Sequence, residues 1–209
     1  MTVRRLILAV LAVSGVALAT ACGAPTEDQP PAHPAEHSPD TAPLALGDYD
    51  FGGDFTLTSH VGTPWALADH RGQAVLLFFG YTACPDYCPM TMSKIAKAIG
   101  LADVDPTAVH VAFVTVDIER DTQPLLANYA ASFGVPMTAL TGTRPQIDAV
   151  VAQYRAAYEI RPVDSAAGHE VSHTVSTYLI GRDGRLRHVF RHADPPERIA
   201  EGLRLALRS

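Results

Sequence analysis

The stretch GQAVLLFFGYTACPDYCPM, residues 72–90, is the strongest indication of the fold in the sequence. Its first part, residues 72–80, is a continuous apolar run bounded by glycines, which is typical of a central strand buried on both faces. The chain then enters a loop that carries Cys84 and Cys88, and residues 90–102 place apolar side chains at helical spacing. A buried strand that leads through a cysteine loop into a helix predicts a thioredoxin-like architecture.

The rest of the folded part alternates between strand and helix patterns. Residues 54–69 predict a hairpin that turns at residues 61–64. The later predicted elements are a strand at 109–117, a helix at 122–134, a strand at 138–142, a helix at 144–158, two strands within 173–191 that turn at 182–184, and a closing helix at 195–207. This order predicts an α/β protein, a thioredoxin-like mixed sheet with flanking helices and an N-terminal β-hairpin. In such sheets the chemistry lies beyond the carboxyl ends of the strands, where the two cysteines are placed.

Composition and charge narrow the class of protein. The chain has 209 residues, of which 47% are hydrophobic and 18% charged, so it is an ordinary globular sequence that suits one domain with appendages. The formal net charge is −6 at pH 7, and the sequence has no run of lysine and arginine. Both features exclude a nucleic-acid binder.

The N-terminus has the pattern of an export signal. Residues 1–21 carry two arginines near their start, at positions 4 and 5, continue with apolar and small residues, and end in small residues, which predicts a lipoprotein signal peptide rather than a permanent membrane span. Cys22 follows as in a bacterial lipobox, so we expect Cys22 to carry lipid and to hold the protein on the extracytoplasmic face of the bacterial cell membrane. Ala19 stands where leucine is more usual, and the alternative is a plain secretory signal with an incidental cysteine.

A tether separates this signal from the domain. Residues 22–47 are rich in proline, alanine and acidic residues and hold few bulky apolar ones, which predicts a flexible tether. The predicted domain then spans residues 48–209. The sequence has three cysteines, so with lipid on Cys22 the remaining pair is Cys84 and Cys88. In an oxidising compartment this pair forms a disulfide, a metal site, or each in turn.

The spacing of Cys84 and Cys88 favours a metal. Because Pro89 fits only within the first turn of a helix, the pair lies at a helix N-terminus, where the helix dipole lowers the pKa of at least one thiol. At i and i+4 of a helix the Cβ atoms are about 5–6 Å apart, whereas a disulfide needs about 3.5–4.5 Å. A metal that bridges two sulfurs tolerates the longer separation, and two thiolates suit a soft ion such as Cu(I).

A third ligand is then expected, and histidine is the natural type. The seven histidines of the predicted domain are His60, His70, His110, His169, His173, His188 and His192. His173 precedes the apolar strand VSTYLI, at a segment edge that a thioredoxin-like sheet brings beside the cysteines. We therefore favour His173 as the third ligand.

The same residues carry a family resemblance. FFGYTACPDYCPM, VTVDIERDTQ, LTGTR and HTVSTYLIGRDG resemble, in this order, segments of the Sco/SenC family of copper-binding thioredoxin-fold proteins, over roughly residues 50–208. The resemblance implies that Cys84, Cys88 and His173 bind copper as Cu(I) or Cu(II). It also implies delivery of copper to the binuclear copper centre of cytochrome c oxidase. The implied partners are the copper-bearing subunit of that oxidase and a periplasmic-type copper donor.

The sequence departs from the family pattern beside these residues. The family commonly has Asp directly before the ligand histidine, where this chain has Ser172, and it often has Pro at the positions of Ile118 and Gln123. The nearby Asp117 and Asp121 are present, and we expect them to support the metal ligands from behind or to contact the partner. The alternative is that both residues only stabilise the loop or cap the helix that follows.

Two further functions compete with copper delivery. In the first, Cys84 and Cys88 are the redox pair of a thiol–disulfide reductase, with a Cys84–Cys88 disulfide in the oxidised form, which keeps the cysteines of the oxidase centre reduced. In the second, weaker one, the protein is a peroxidase. That chemistry needs a single activated thiolate with a supporting arginine, and no arginine lies near Cys84 in the sequence.

Overall fold

The computed structural model describes residues 43–164 and 168–208. The predicted signal peptide, Cys22 and most of the predicted tether lie outside these residues. Within the described part, the Leu44 side chain is buried, and the N–H of Gly47 donates to the carbonyl of Arg187 at 2.9 Å. Leu44 and Gly47, the last part of the predicted tether, therefore pack against the folded chain.

The described residues form nine strands and four α-helices. The strands are β1 (Thr56–Ser59), β2 (Pro64–Ala66), β3 (Ala74–Gly80), β4 (Val109–Thr115), β5 (Met137–Thr141), β6 (Tyr158–Pro162), β7 (His169–His173), β8 (Thr177–Ile180) and β9 (Leu186–Phe190). The helices are α1 (Tyr87–Ala102), α2 (Gln123–Ala131), α3 (Arg144–Gln153) and α4 (Pro196–Arg208). None of the helices in this part of the chain has the length and apolar character needed to cross a membrane.

Seven strands form one sheet in the order β2-β1-β5-β4-β3-β8-β9. The central pairs β3–β4 and β4–β5 are parallel, and the remaining pairs of this sheet are antiparallel. The strands β1 and β2 form the N-terminal hairpin. These findings confirm the predicted thioredoxin-like mixed sheet.

The core lies along the central strands. Every residue of β3 is buried, as its unbroken apolar run requires, and six of the seven residues of β4 are buried as well. The helix α1 packs against α4, which also contacts β3, β8 and β9. This packing fixes the start of α1 at the carboxyl end of β3, where the cysteine loop lies.

The structure differs from the sequence prediction after α3. The helix ends at Gln153, before the predicted end at residue 158, and Arg155 follows with a left-handed φ of 51° that stops the helical path. The strands β6 and β7 then form a separate two-stranded sheet. Most side chains of this hairpin are polar or partly exposed, so it lacks the apolar strand pattern on which the prediction relied. His173 is the last residue of β7, a strand that the sequence did not predict, and it precedes the apolar strand β8 as expected.

A histidine on β4 predicts acid sensitivity of the fold. The histidine is His110, and the centroid of its ring lies 4.3 Å from the centroid of the His70 ring. Burial lowers the pKa of His110 from 6.5 to about 4, and the charge of His70 adds to the effect. Between these pH values the unfolded chain binds more protons than the folded one, so stability falls as the pH decreases from 6.5 to 4, by up to roughly 3 kcal/mol.

Urea unfolding at pH 7 and at pH 5 measures this loss. His110→Gln removes the titrating group and retains an amide that can reach Thr138, whose hydroxyl contacts His110 Nε2 at 3.0 Å. The wild-type protein should lose clearly more stability between the two pH values than the variant. Equal losses would show that another group causes the acid sensitivity.

Candidate metal centre

Three predicted ligands meet at one end of the sheet. Cys84 lies in the loop after β3, Cys88 in the first turn of α1, and His173 at the end of β7. The Sγ atoms of Cys84 and Cys88 and a ring nitrogen of His173 all lie within 4.8 Å of one another. The Cys88 Sγ is 3.3 Å from His173 Nε2. The other histidines of the described part do not belong to this cluster.

The start of α1 places the two sulfurs differently. The helix begins at Tyr87, so Cys88 is its second residue, and Pro89 occupies the first turn as predicted. Asp86 is the N-cap, but its side chain makes no capping hydrogen bond. The backbone N–H of Cys88 instead donates to the Cys84 Sγ at 3.4 Å. The Cys84 sulfur therefore accepts an N–H at the helix N-terminus, the position that favours an anion, whereas Cys88 is part of the helix.

The two thiols consequently have opposite pKa shifts. The hydrogen bond from the Cys88 thiol is the largest cause that lowers the pKa of Cys84, which reaches about 3 although burial opposes the shift. The Cys88 pKa is raised, because its thiol donates to Cys84 and is itself buried. Cys84 is 9% exposed and Cys88 0%. In the reduced protein Cys84 is thus the thiolate that a reactant can reach, and Cys88 is its internal proton donor.

His173 presents one nitrogen to the sulfurs. Its Nδ1 is 2.9 Å from the carbonyl oxygen of Thr174. A carbonyl only accepts, so Nδ1 carries a proton, and Nε2 is the ring nitrogen that faces the sulfurs and can bind a metal. Ser172 precedes it on β7, is exposed, and points to the opposite face because side chains alternate along a strand. The Thr174 carbonyl therefore fixes the imidazole tautomer in a chain that has Ser172 where the family commonly has Asp.

Aromatic side chains enclose the imidazole. The rings of Phe78 and Tyr81 each stand edge-on to His173 with centroids 5.8 Å away. The pKa of Tyr81 is raised to about 12 by burial and by the negative charge of Cys84, so its hydroxyl stays protonated. A cavity of about 300 Å³, lined among others by Tyr87, Cys84 and His173, gives an incoming group access to the site.

Asp121 holds the loop that carries Cys84. Its buried carboxylate accepts from the backbone N–H of Thr82 at 3.0 Å, from the Thr82 hydroxyl at 2.6 Å and from the Thr115 hydroxyl at 2.5 Å. The N-cap of α2 is Thr122, so the alternative of capping work for Asp121 is not observed. Asp121 therefore links Thr82, two residues before Cys84, to Thr115 at the end of β4. These hydrogen bonds shape the cysteine loop and do not involve the sulfurs.

Asp117 lies in a second polar cluster. Its buried carboxylate pairs with Arg120 Nε and is 2.9 Å from His169 Nε2. Together with Glu119 these acidic and imidazole groups are close enough to hold a metal ion. However, Arg120 already pairs with Asp117, and Arg144 lies 3.2 Å from Glu119. The two guanidinium groups neutralise the carboxylates, so this cluster has the charge balance of an ion-pair network.

Gly80 is a site residue that the sequence analysis did not identify as one. A Cβ atom placed on Gly80 would lie 2.9 Å from the Cys88 Sγ and 2.8 Å from the Phe113 ring. These separations are shorter than a real Cβ contact, so only glycine lets the Cys88 sulfur lie against the end of β3. The sequence held one signal, a glycine that ends an apolar run just before the cysteine loop.

Comparison with known proteins identifies the family. A family model described as SCO1/SenC matches residues 45–208. The chain belongs to the SCO1/SenC family. The solved structure of Bradyrhizobium japonicum ScoI with copper bound is similar to this SCO1/SenC member, with 34% identity and a TM-score of 0.68, over 75% of this chain and 99% of that one.

Characterised relatives share the same region. The mouse protein "SCO1 homolog, mitochondrial" is 36% identical over 167 residues, which cover 79% of this chain and 59% of the mouse protein. Protein SenC of Rhodobacter capsulatus is 37% identical over 153 residues, covering 73% of this chain and 68% of SenC. The chain spans about half to three fifths of the mammalian mitochondrial relatives (59%, 49% and 58%).

Proposed function

We propose that this SCO1/SenC member is a membrane-tethered extracytoplasmic copper chaperone that delivers copper to the binuclear copper centre of cytochrome c oxidase. The observation that carries the proposal is the convergence of Cys84, Cys88 and His173, whose ligand atoms lie within 4.8 Å of one another. The copper-bound ScoI structure, which is 34% identical, supports the metal. Lipid on Cys22 would supply the tether on the extracytoplasmic face of the bacterial membrane.

The donor set suits copper in both oxidation states. Two thiolates favour Cu(I), and the imidazole adds a nitrogen ligand that Cu(II) prefers. Three protein ligands are one fewer than a closed structural zinc site usually takes, so copper held here can accept a further ligand during exchange. A ligand from the copper-bearing oxidase subunit could enter through the cavity beside Cys84, so copper would pass by ligand exchange. A periplasmic-type donor would load the site in the same way.

The second candidate is a thiol–disulfide reductase, and the thiolate character of Cys84 favours it. Cys84 would attack a disulfide of the oxidase subunit, form a mixed disulfide and release one partner thiolate. Cys88 would then lose its proton and attack Cys84, which releases the second partner thiolate and leaves a Cys84–Cys88 disulfide. Two electrons pass to the partner. Copper and this disulfide need the same sulfurs, so one molecule cannot perform both reactions at once.

Incubation with the purified copper-bearing subunit of the oxidase separates the two functions. The copper-loaded protein is mixed with the reduced subunit, and the metal-free reduced protein is mixed with the oxidised subunit. The chaperone proposal predicts that copper moves to the reduced subunit in stoichiometric amount. Disulfide reduction without any copper transfer would overturn it in favour of the reductase.

A further inference from the structure

Strand β7 presents two imidazoles on one face. Side chains alternate along a strand, so His169, Val171 and His173 point the same way. His169 Nε2 contacts the Asp117 carboxylate, and His173 Nε2 contacts the Cys88 sulfur. Asp117 follows β4 and the cysteine loop follows β3, and these two strands are parallel neighbours. The two ends of β7 are thus fixed to the ends of two central strands.

The main sheet does not position β7 directly. The strand pairs with β6 in a separate two-stranded sheet. The N–H of Thr174 donates to the Ala157 carbonyl at 2.9 Å, but this hydrogen bond joins the two arms of the hairpin and does not connect the hairpin to the main sheet. The hairpin is connected to the rest of the domain where β6 begins, because Arg144 Nη1 on α3 donates to the hydroxyl of Tyr158 at 2.9 Å. Tyr158 is the cross-strand partner of His173, so the placement of His173 against the sulfurs depends on this tie and on the contacts made by β7 side chains.

The contact at His169 belongs to a network of hydrogen bonds and an ion pair. Asp117 is fully buried, and its N–H donates to the Thr115 hydroxyl at 3.1 Å. Arg120 pairs with Asp117 through Nε and donates from Nη1 to the His169 carbonyl at 3.1 Å. Asp117, Arg120 and His169 thus close a ring of hydrogen bonds that holds both the side chain and the backbone of the first residue of β7.

We propose that His169 is a positioning residue for the metal site. Asp117 and Arg120 hold His169 in place. His169 in turn fixes the position and direction of β7, which keeps the His173 imidazole facing Cys84 and Cys88. The inference rests on the proposed copper function and adds to it a residue that contacts no metal. It also makes Asp117 a support of the ligands through His169.

The test compares copper in its two oxidation states. Cu(II) depends on the imidazole, whereas Cu(I) is held by two thiolates. In His169→Ala, Cu(II) affinity should fall about 10- to 100-fold, the usual cost of losing an outer support, with Cu(I) affinity unchanged. His169→Gln, whose amide can still donate to Asp117, should restore Cu(II) binding. His188→Ala, which removes a half-buried histidine on β9, is the control and should bind both ions normally.

A metal-free measurement separates this inference from the proposed function. In the reduced protein without copper, the His173 imidazole signals in a ¹H–¹³C NMR spectrum should shift in His169→Ala and return in His169→Gln. Unchanged signals and unchanged Cu(II) affinity would overturn the inference, and so would an equal loss of Cu(I) and Cu(II), which indicates general unfolding. If His169→Ala does not fold, His169→Leu, which fills more of the space but has no donor, carries the same comparison. Failure of the wild-type protein to bind copper would instead overturn the proposed function.

Discussion

His173→Ala is expected to lose Cu(II) and to keep Cu(I). The His173 Nε2 atom is 3.3 Å from the Cys88 sulfur, and its loss leaves a two-thiolate site that Cu(I) accepts. Replacing an outer support of a metal ligand costs 10- to 100-fold in affinity, so removal of the ligand itself should lower Cu(II) affinity by more than about 100-fold. Competition titrations with chelators specific for each oxidation state measure the two affinities.

A neighbouring histidine provides the control for this variant. His192 lies beside the site, with its ring 4.9 Å from that of Tyr87, but outside the ligand cluster. His192→Ala should therefore keep both affinities, and thiol–disulfide exchange should survive in both variants because Cys84 and Cys88 remain. Unchanged Cu(II) affinity and spectrum in His173→Ala would show that His173 is not a ligand.

Gly80→Ala is expected to damage both the fold and the site. The added methyl group would lie 2.9 Å from the Cys88 sulfur and 2.8 Å from the Phe113 ring, in the fully buried centre of the protein. Overpacking of this kind costs about 1–3 kcal/mol of folding stability. It would also push the Cys88 sulfur away from Cys84 and His173, so copper affinity should fall in both oxidation states.

A second glycine makes the matched comparison. Gly100 lies within α1 and has nothing within 4 Å of an added Cβ atom. Gly100→Ala should therefore raise stability by about 0.5–1 kcal/mol, as glycine is a poor helix former. Chemical unfolding and copper titration of both variants check the pair. A Gly80→Ala protein with wild-type stability and copper affinity would show that Cys88 has more room than the structure gives it.

The parts of the fold that the sequence predicted were those with a local pattern. The apolar run of β3 and the alternation before Pro64 required nothing beyond neighbouring residues, and both elements are observed. The hairpin turn near Gly184 followed from its residue type, and this glycine has a φ of +80°. The β6–β7 hairpin has no such pattern, because few of its side chains are buried.

The site likewise has residues that the sequence identified and features that it could not predict. The cysteine spacing identified Cys84 and Cys88, and the position of His173 ahead of an apolar strand brought it into consideration. The division of proton and charge between the two thiols depends on which of them lies in the helix and which lies at its end. The support from His169 depends on a contact with Asp117, 52 residues away in the sequence. Long-range contacts of this kind leave no local pattern.

X-ray absorption at the copper edge reports the atoms bound to the metal, so it tests directly whether Cys84, Cys88 and His173 are the ligands. The reduced protein is loaded with one equivalent of copper and the scattering shell is measured. We expect two sulfur atoms at about 2.3 Å and one imidazole nitrogen at about 2.0 Å, with zinc–ligand distances as the guide. The imidazole contribution should disappear in His173→Ala, and a shell of nitrogen and oxygen atoms without sulfur would contradict the account.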